Sequence, residues 1–166
     1  MKDIGFVKNI DNLGRIVIPM DIRRKLNIST GDVLNICCSD NNICLSKYSS
    51  LDNYKIFEII KLFIECFNLN VILCDKEKVL FSNVVGRDTK IDGNFESLVR
   101  NGSTINNNYD AYVFGDNKVE GYYNQVPIVT NEGIIGCLVI LRSDIVNSFV
   151  VCKLIASIIM LFLNIN

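Results

Sequence analysis

The residues of this chain best suited to chemistry are cations, and four of them crowd one stretch. Asp11-Asn12-Leu13-Gly14-Arg15-Ile16-Val17-Ile18-Pro19-Met20-Asp21-Ile22-Arg23-Arg24-Lys25-Leu26 carries Arg15, Arg23, Arg24 and Lys25 on a small scaffold. A guanidinium presents a planar fork of N–H donors that fits phosphate oxygens and base edges, and an ammonium presents a point charge. The set is therefore suited to nucleic acid. Other chemistries lack their groups. Among 166 residues there is no histidine to act as a general base or to activate a thiol. The seven cysteines include no Cys-x-x-Cys pair, and the adjacent Cys37 and Cys38 must face opposite sides of a strand. That spacing supports neither a zinc ribbon nor a thioredoxin-type motif. A thiol reductase would have to draw on Cys66, Cys74, Cys137 or Cys152, and two of these, Cys74 and Cys137, fall in predicted core strands. We expect no catalytic residue, no metal site and no cofactor.

The elements that must position the cations are short. Gly14 closes a turn, the apolar run Ile16-Val17-Ile18 reads as a buried strand, and Pro19 suits the first position of a helix reaching to about Asn27. Ile22 and Leu26 then share one helical face, so Arg23 and Arg24 must point elsewhere. Upstream, Ile4 to Ile10 reads as a strand with Lys8 exposed, which adds a fifth cation. Downstream, the turn formers Ser29-Thr30-Gly31-Asp32 lead to a hairpin of Val33 to Cys38 and Ile43 to Lys47. If Asp40-Asn41 is a two-residue loop, Cys37 and Cys44 face each other across that hairpin. Strand, strand, helix, strand, strand within about fifty residues cannot bury its apolar faces alone. We therefore expect a dimer in which each hairpin completes the sheet of the other chain.

Charge divides the chain in the same place. Residues 1–50 hold seven Lys/Arg against five Asp, a net +2, whereas the remainder holds ten against thirteen, a net −3. The overall −1 thus conceals a basic N-terminal domain, 1–50, ahead of an acidic one, 51–166. A linker at Ser49-Ser50 and an N-cap at Asp52 open the second domain, followed by an amphipathic helix from about Asn53 to Phe67. A hairpin of Val71 to Cys74 and Val79 to Phe81 comes next, then a short helix over Asn94 to Arg100. The polar, Asn-rich segment from Asn101 to Asp116 reads as a long loop able to cover a pocket. Strands over Tyr122 to Val129 and Ile134 to Leu141 follow, with Pro127 at an edge or bulge, and a helix over Asp144 to Leu163 ends the chain. The apolar run Leu154 to Leu163 is too short for the roughly 20 residues of a bilayer span, and the N-terminus reads as no signal peptide. A cytoplasmic protein without a membrane partner is expected.

Gly5, Val7-Lys8, Ile10-Asp11, Leu13-Gly14-Arg15, Val17-Ile18-Pro19, Ile22-Arg23-Arg24, Leu26, Ile28, Gly31-Asp32 and Leu45-Ser46-Lys47-Tyr48 together resemble the AbrB-type swapped-hairpin DNA-binding domain. The resemblance covers residues 1 to about 50 without a gap. It implies an intertwined dimer in which Lys8, Arg15, Arg23 and Arg24 of both protomers, with Lys25 beside them, meet double-stranded DNA, and hence a nucleoid-associated transcriptional regulator of the sporulation or transition-state type, acting as activator or repressor. One position departs from the pattern: Asn9 stands where a base is common. Val126-Pro-Ile-Val-Thr-Asn-Glu-Gly-Ile-Ile-Gly136-Cys-Leu-Val-Ile140 resembles the paired central strands of a GAF domain, which implies an α/β/α regulatory or oligomerisation unit, an unidentified small-molecule ligand for it, and a tetramer if the GAF domains also pair. The fold class expected is α+β in two domains. Swapped-hairpin domains also occur in antitoxins, so a toxin-binding protein that regulates its own DNA is the alternative.

Overall fold

The computed structural model describes residues 5–26, 28–91, 93–114, 117–131, 133–141 and 147–165. The chain divides into two compact units, Met1–Tyr48 and Ser49–Asn166. In the first, a six-residue helix α1 (Met20–Lys25) precedes a hairpin of β1 (Leu34–Ser39) and β2 (Asn42–Lys47). Asp40 and Asn41 both take positive φ, 46° and 72°, which is the type I′ geometry whose twist matches the strands it joins. Cys37 pairs with Cys44 in the resulting register, as the two-residue loop requires.

Two expectations for this unit need correction within the single chain. Over the described residues 5–10 and 16–18 the expected strands, Ile4 to Ile10 and Ile16 to Ile18, are not formed, and Ile16 and Val17 are not buried, Val17 being 75% exposed. A strand needs a neighbour for its backbone N–H and C=O groups, and none of the other described segments of this chain pairs with these. Pro19 stands one position earlier than expected, at the N-cap of α1 with extended ψ of 148°. Its ring still precedes the first helical residue, where an absent N–H costs nothing.

The second unit builds a closed core. Helix α2 (Tyr54–Phe67) leads to β3 (Asn70–Cys74) and β4 (Val79–Ser82), then α3 (Gly93–Arg100), the long strands β5 (Ile105–Phe114), β6 (Asn117–Thr130) and β7 (Gly133–Leu141), and α4 (Ser148–Ile165). The five strands form one antiparallel sheet in the order β4-β3-β7-β6-β5. Alternation splits each central strand between two cores. Val71, Leu73, Leu138, Ile140, Val126 and Ile128 face α2 and α4, packing with Ile56, Ile60, Ile155 and Ile159. Ile72, Cys74, Cys137, Val139 and Tyr123 face the other side, with Phe95 and Val99 of α3.

Asn53 rather than Asp52 caps α2, its side chain accepting the Lys55 N–H at 2.9 Å. Asp52 is taken by Arg87, whose Nη2 donates to both carboxylate oxygens at 2.7 and 2.9 Å while its guanidinium lies 5.4 Å from the Phe57 ring centre. The described part of the last helix begins at Ser148, and the expected start at Asp144 lies outside the described residues. Pro127 sits beyond the last β5–β6 pair, Ile105 with Gln125, so it withdraws no donor from a ladder on that side.

The segment expected to be a loop is strand. Residues 105–114 pair with β6 over most of their length, interrupted by a bulge between Ile105 and Asn108 where Asn107 has a φ of 50°. Asparagine disfavours strands in isolation, but here Asn107 N–H donates to Asn124 Oδ1 at 2.8 Å and the long β6 template imposes pairing. A pocket lid is therefore not what this segment makes.

Gly136 marks the tightest approach in the sheet, since a Cβ there would lie 2.2 Å from the Cys74 carbonyl oxygen and 2.7 Å from Leu51 Cδ1. Gly136→Ala is expected to lower the unfolding free energy of the chain by about 1–3 kcal/mol, read by urea denaturation, because backbone must move to admit the methyl.

Candidate nucleic-acid interface

The cation-bearing stretch is built on one carboxylate. Asp11 Oδ1 accepts the backbone N–H groups of Leu13 and Arg15, each at 2.9 Å, and Asp11 Oδ2 accepts Arg15 Nε at 2.8 Å. Gly14 N–H returns to the Asp11 carbonyl at 2.9 Å, and Asp11 N–H donates to the Arg15 carbonyl at 3.0 Å, closing the turn. Gly14 takes a φ of 75°, which a side chain would disfavour. Sequence reasoning missed Asp11 as a positioning residue; the signal was its place four residues ahead of an arginine across a glycine turn, the setting of an Asx turn. The guanidinium of Arg15 is aimed by this pairing and still largely exposed, its side chain 72% accessible.

Helix α1 carries the other three cations on its last turn. Asp21 in the first turn and Arg23, Arg24 and Lys25 in the last oppose the helix dipole's charges. Arg24 and Lys25 are exposed, whereas Arg23 is half-buried, and its Nε lies out of water with no hydrogen-bond acceptor. Ile22 and Leu26 share one face as their spacing requires, lining a shallow groove with Asp21 and Lys25. Lys8 is exposed within the irregular segment 5–10, with Asn9 exposed beside it. The structure thus brings Arg23, Arg24 and Lys25 together on one turn and places Lys8 and Arg15 on the two arms flanking the Asp11 turn.

Lys47 has a separate duty. Its Nζ lies 3.3 Å from Asp32 Oδ2, the oxygen that also accepts the Ser29 N–H at 2.8 Å, so the base of the hairpin is tied to the turn after α1. The backbone N–H of Ser29, more than the ammonium of Lys47, holds the Asp32 carboxyl below its ordinary range. Among the described residues there is no cluster of His, Cys, Asp and Glu that could hold a metal ion, and no helix is long and apolar enough to cross a membrane.

Comparison with known proteins places this geometry. Residues 7–52 match the family described as antidote-toxin recognition MazE, bacterial antitoxin, and the N-terminal unit is a domain of the MazE/AbrB type. The chain as a whole is similar to stage V sporulation protein T of Bacillus subtilis (strain 168), 29% identical over 154 residues that span 87% of this chain and 86% of that protein. The transition state regulatory protein AbrB of the same organism is 48% identical over 48 residues, 29% of this chain and 50% of that protein. The solution structure of the N-domain of the transcription factor abrB, 47% identical, is matched over 94% of its length and 30% of this chain with a TM-score of 0.28.

The Asp11 turn makes a pH-dependent prediction. The backbone N–H and then the guanidinium of Arg15 hold the Asp11 carboxyl below its ordinary value of 3.8. A carboxyl depressed in the folded state stabilises the turn above that ordinary value and loses the contribution as pH falls through the folded value. The amide chemical shifts of Leu13 and Arg15 should titrate together with a midpoint below the ordinary carboxyl value of 3.8, and Asp11→Asn should abolish that transition in an NMR titration.

Proposed function

We infer that this protein is a DNA-binding transcriptional regulator of the sporulation or transition-state type. The observation that carries the reading is the exposed set Lys8, Arg15, Arg24 and Lys25 on a MazE/AbrB-type domain. The similarity to stage V sporulation protein T across most of both chains supports extending the reading to the whole molecule. Arg23 belongs to the set with a different weight, because its half-buried stem packs as well as carrying charge.

The binding unit in this reading is a swapped dimer. Val7 is 98% exposed, and Ile10, Leu13, Val17, Val33, Ile36 and Ile43 are each more than half exposed, a density of apolar surface that calls for a second chain. Two protomers double the charge display, so the arginines act as symmetric pairs, positioned on phosphates and inserting forks at base edges. Shape and deformability of the duplex share the discrimination. The second unit, residues 51–166, reads as GAF-like: its five-stranded antiparallel sheet with helices on both faces supports that architecture. Its role in this reading is to regulate and to oligomerise through α2 and α4, on which Tyr54, Leu62, Leu154 and Leu161 stand exposed, giving a tetramer. A cytoplasmic, nucleoid-associated location follows from the DNA target, and the protein acts as activator, repressor or both.

The family's description favours a second reading, an antitoxin that binds a toxin and autoregulates its DNA. Antitoxins of this type end in a disordered tail that wraps the toxin, whereas here an ordered unit with two cores follows the N-terminal domain.

Fluorescence anisotropy with labelled promoter DNA tests the proposal. Arg15→Ala should cost about 1–3 kcal/mol of operator binding while circular dichroism and sizing stay unchanged. If Lys8, Arg15, Arg24 and Lys25 of both protomers contact phosphate, log K should fall with log salt at a slope of about −7. Salt-independent binding, or unchanged affinity of the Arg15 variant, would reject this assignment of the surface.

A further inference from the structure

The β1–β2 hairpin carries an arrangement that DNA binding does not use. Its type I′ turn at Asp40-Asn41 fixes the register, and that register sets Cys37 of β1 opposite Cys44 of β2. Cys37 Sγ lies 3.9 Å from the Cys44 carbonyl oxygen, and both cysteines are exposed. Alternation along the strands separates two faces. Leu34, Ile36 and Cys38 of β1 share one with Ile43 and Leu45 of β2, while Cys37 and Cys44 share the other with Asn35, Asn42 and Ser46. The two thiols therefore stand exposed on the polar side of the hairpin, opposite the apolar face that the proposed dimer would cover. Directly opposed antiparallel residues have Cα atoms about 4.5–5.5 Å apart, inside the span of about 4.4–6.8 Å that a disulfide bridges.

The remaining cysteines make a contrast. Cys74 and Cys137 also pair across strands with sulfurs 3.3 Å apart, yet both are fully buried. Burial pushes the Cys137 thiol well up and that of Cys152 to about 12, which keeps both protonated and unreactive. Cys38 lies on the apolar face with Ile43 as its register partner, and Cys66 stands on α2 in the other unit.

We propose that Cys37 and Cys44 are a redox-modification site, a facing pair of surface thiols that hydrogen peroxide converts to an intramolecular disulfide across the hairpin. One thiolate attacks the peroxide O–O bond, forming a sulfenic acid and releasing hydroxide. The second thiol attacks that sulfenic sulfur, forming the S–S bond and expelling its oxygen as water. Two thiols are oxidised and one peroxide is reduced to two waters. The disulfide locks the register of the hairpin, and a dithiol reductant reopens it. This inference stands on the hairpin geometry and does not rest on the DNA-binding reading.

The test uses the full chain, treated with hydrogen peroxide, alkylated, and cleaved before Asp40 so that the two strands part unless a disulfide joins them. The expected result is a joined peptide pair lighter by two hydrogens, a thiol count under denaturant falling from seven to five, and reversal by dithiothreitol. The joined pair should persist in Cys38→Ser and vanish in Cys37→Ser and Cys44→Ser, with a dimedone adduct on the surviving partner. Retention of seven thiols, a Cys74–Cys137 disulfide in place of the hairpin one, a bond between two chains, or a joined pair that survives Cys37→Ser would each overturn the proposal. Circular dichroism of each variant checks that the fold is intact, and the wild-type peptide map remains decisive if one variant fails to fold.

Discussion

The first 48 residues meet a constraint that the rest of the chain escapes: they carry many apolar side chains but too little chain to enclose them. Among the described residues the buried core begins at Leu51, and no side chain before it is fully buried. Apolar surface removed from water contributes about 25 cal/mol per Å², and a single hairpin beside a six-residue helix removes very little. Residues 49–165 stand on different ground, because one sheet feeds two cores and three helices cover them. The dimer reading and the pairing of the arginines both follow from that shortage of core in the first unit.

Electrostatics in the N-terminal unit is organised by carboxylates as much as by cations. Asp11 holds Arg15, and Asp32 holds Lys47, so two of the positive charges are already engaged within the chain. An exposed ion pair contributes only about 0–1 kcal/mol, so in the proposed complex a phosphate would displace Asp11 from Arg15 at little cost. In the free chain the carboxylate fixes the direction of a side chain that would otherwise sweep a wide volume. Lys47 differs, since its partner is part of the support for the hairpin.

Much of the fold could be read from residue order. The I′ hairpin at Asp40-Asn41, the Cys37–Cys44 register, α2, the β3–β4 hairpin and α3 all lie near their expected places, because each is specified by local turn chemistry or a sustained period. The failures share a cause. β5 was hidden because its asparagines oppose strand formation locally and only the long β6 overrides them. Ile4 to Ile10 and Ile16 to Ile18 read as strands from their apolar pattern, yet over the described residues 5–10 and 16–18 no strand exists until something pairs with it. For the site, residue type and spacing named five candidate cations, and the Asx-turn spacing of Asp11 ahead of Arg15 was there to be read, but the half-burial of Arg23 depends on side-chain geometry that no pattern encodes.

The bulge in β5 has a consequence for assembly. A sheet of five strands has two free edges, and each is a template on which a foreign strand can grow. On one side β4 is only four residues long and is flanked by the Lys78–Lys90 bridge. On the other, the irregularity at Asn107 breaks the hydrogen-bond ladder and turns part of the edge's donor row inward to Asn124. In the proposed swapped dimer the N-terminal hairpins exchange strands, and these two guarded edges do not compete with that exchange. The asparagines that looked like a loop act as insulation, making the β5 edge a poor template for a foreign strand.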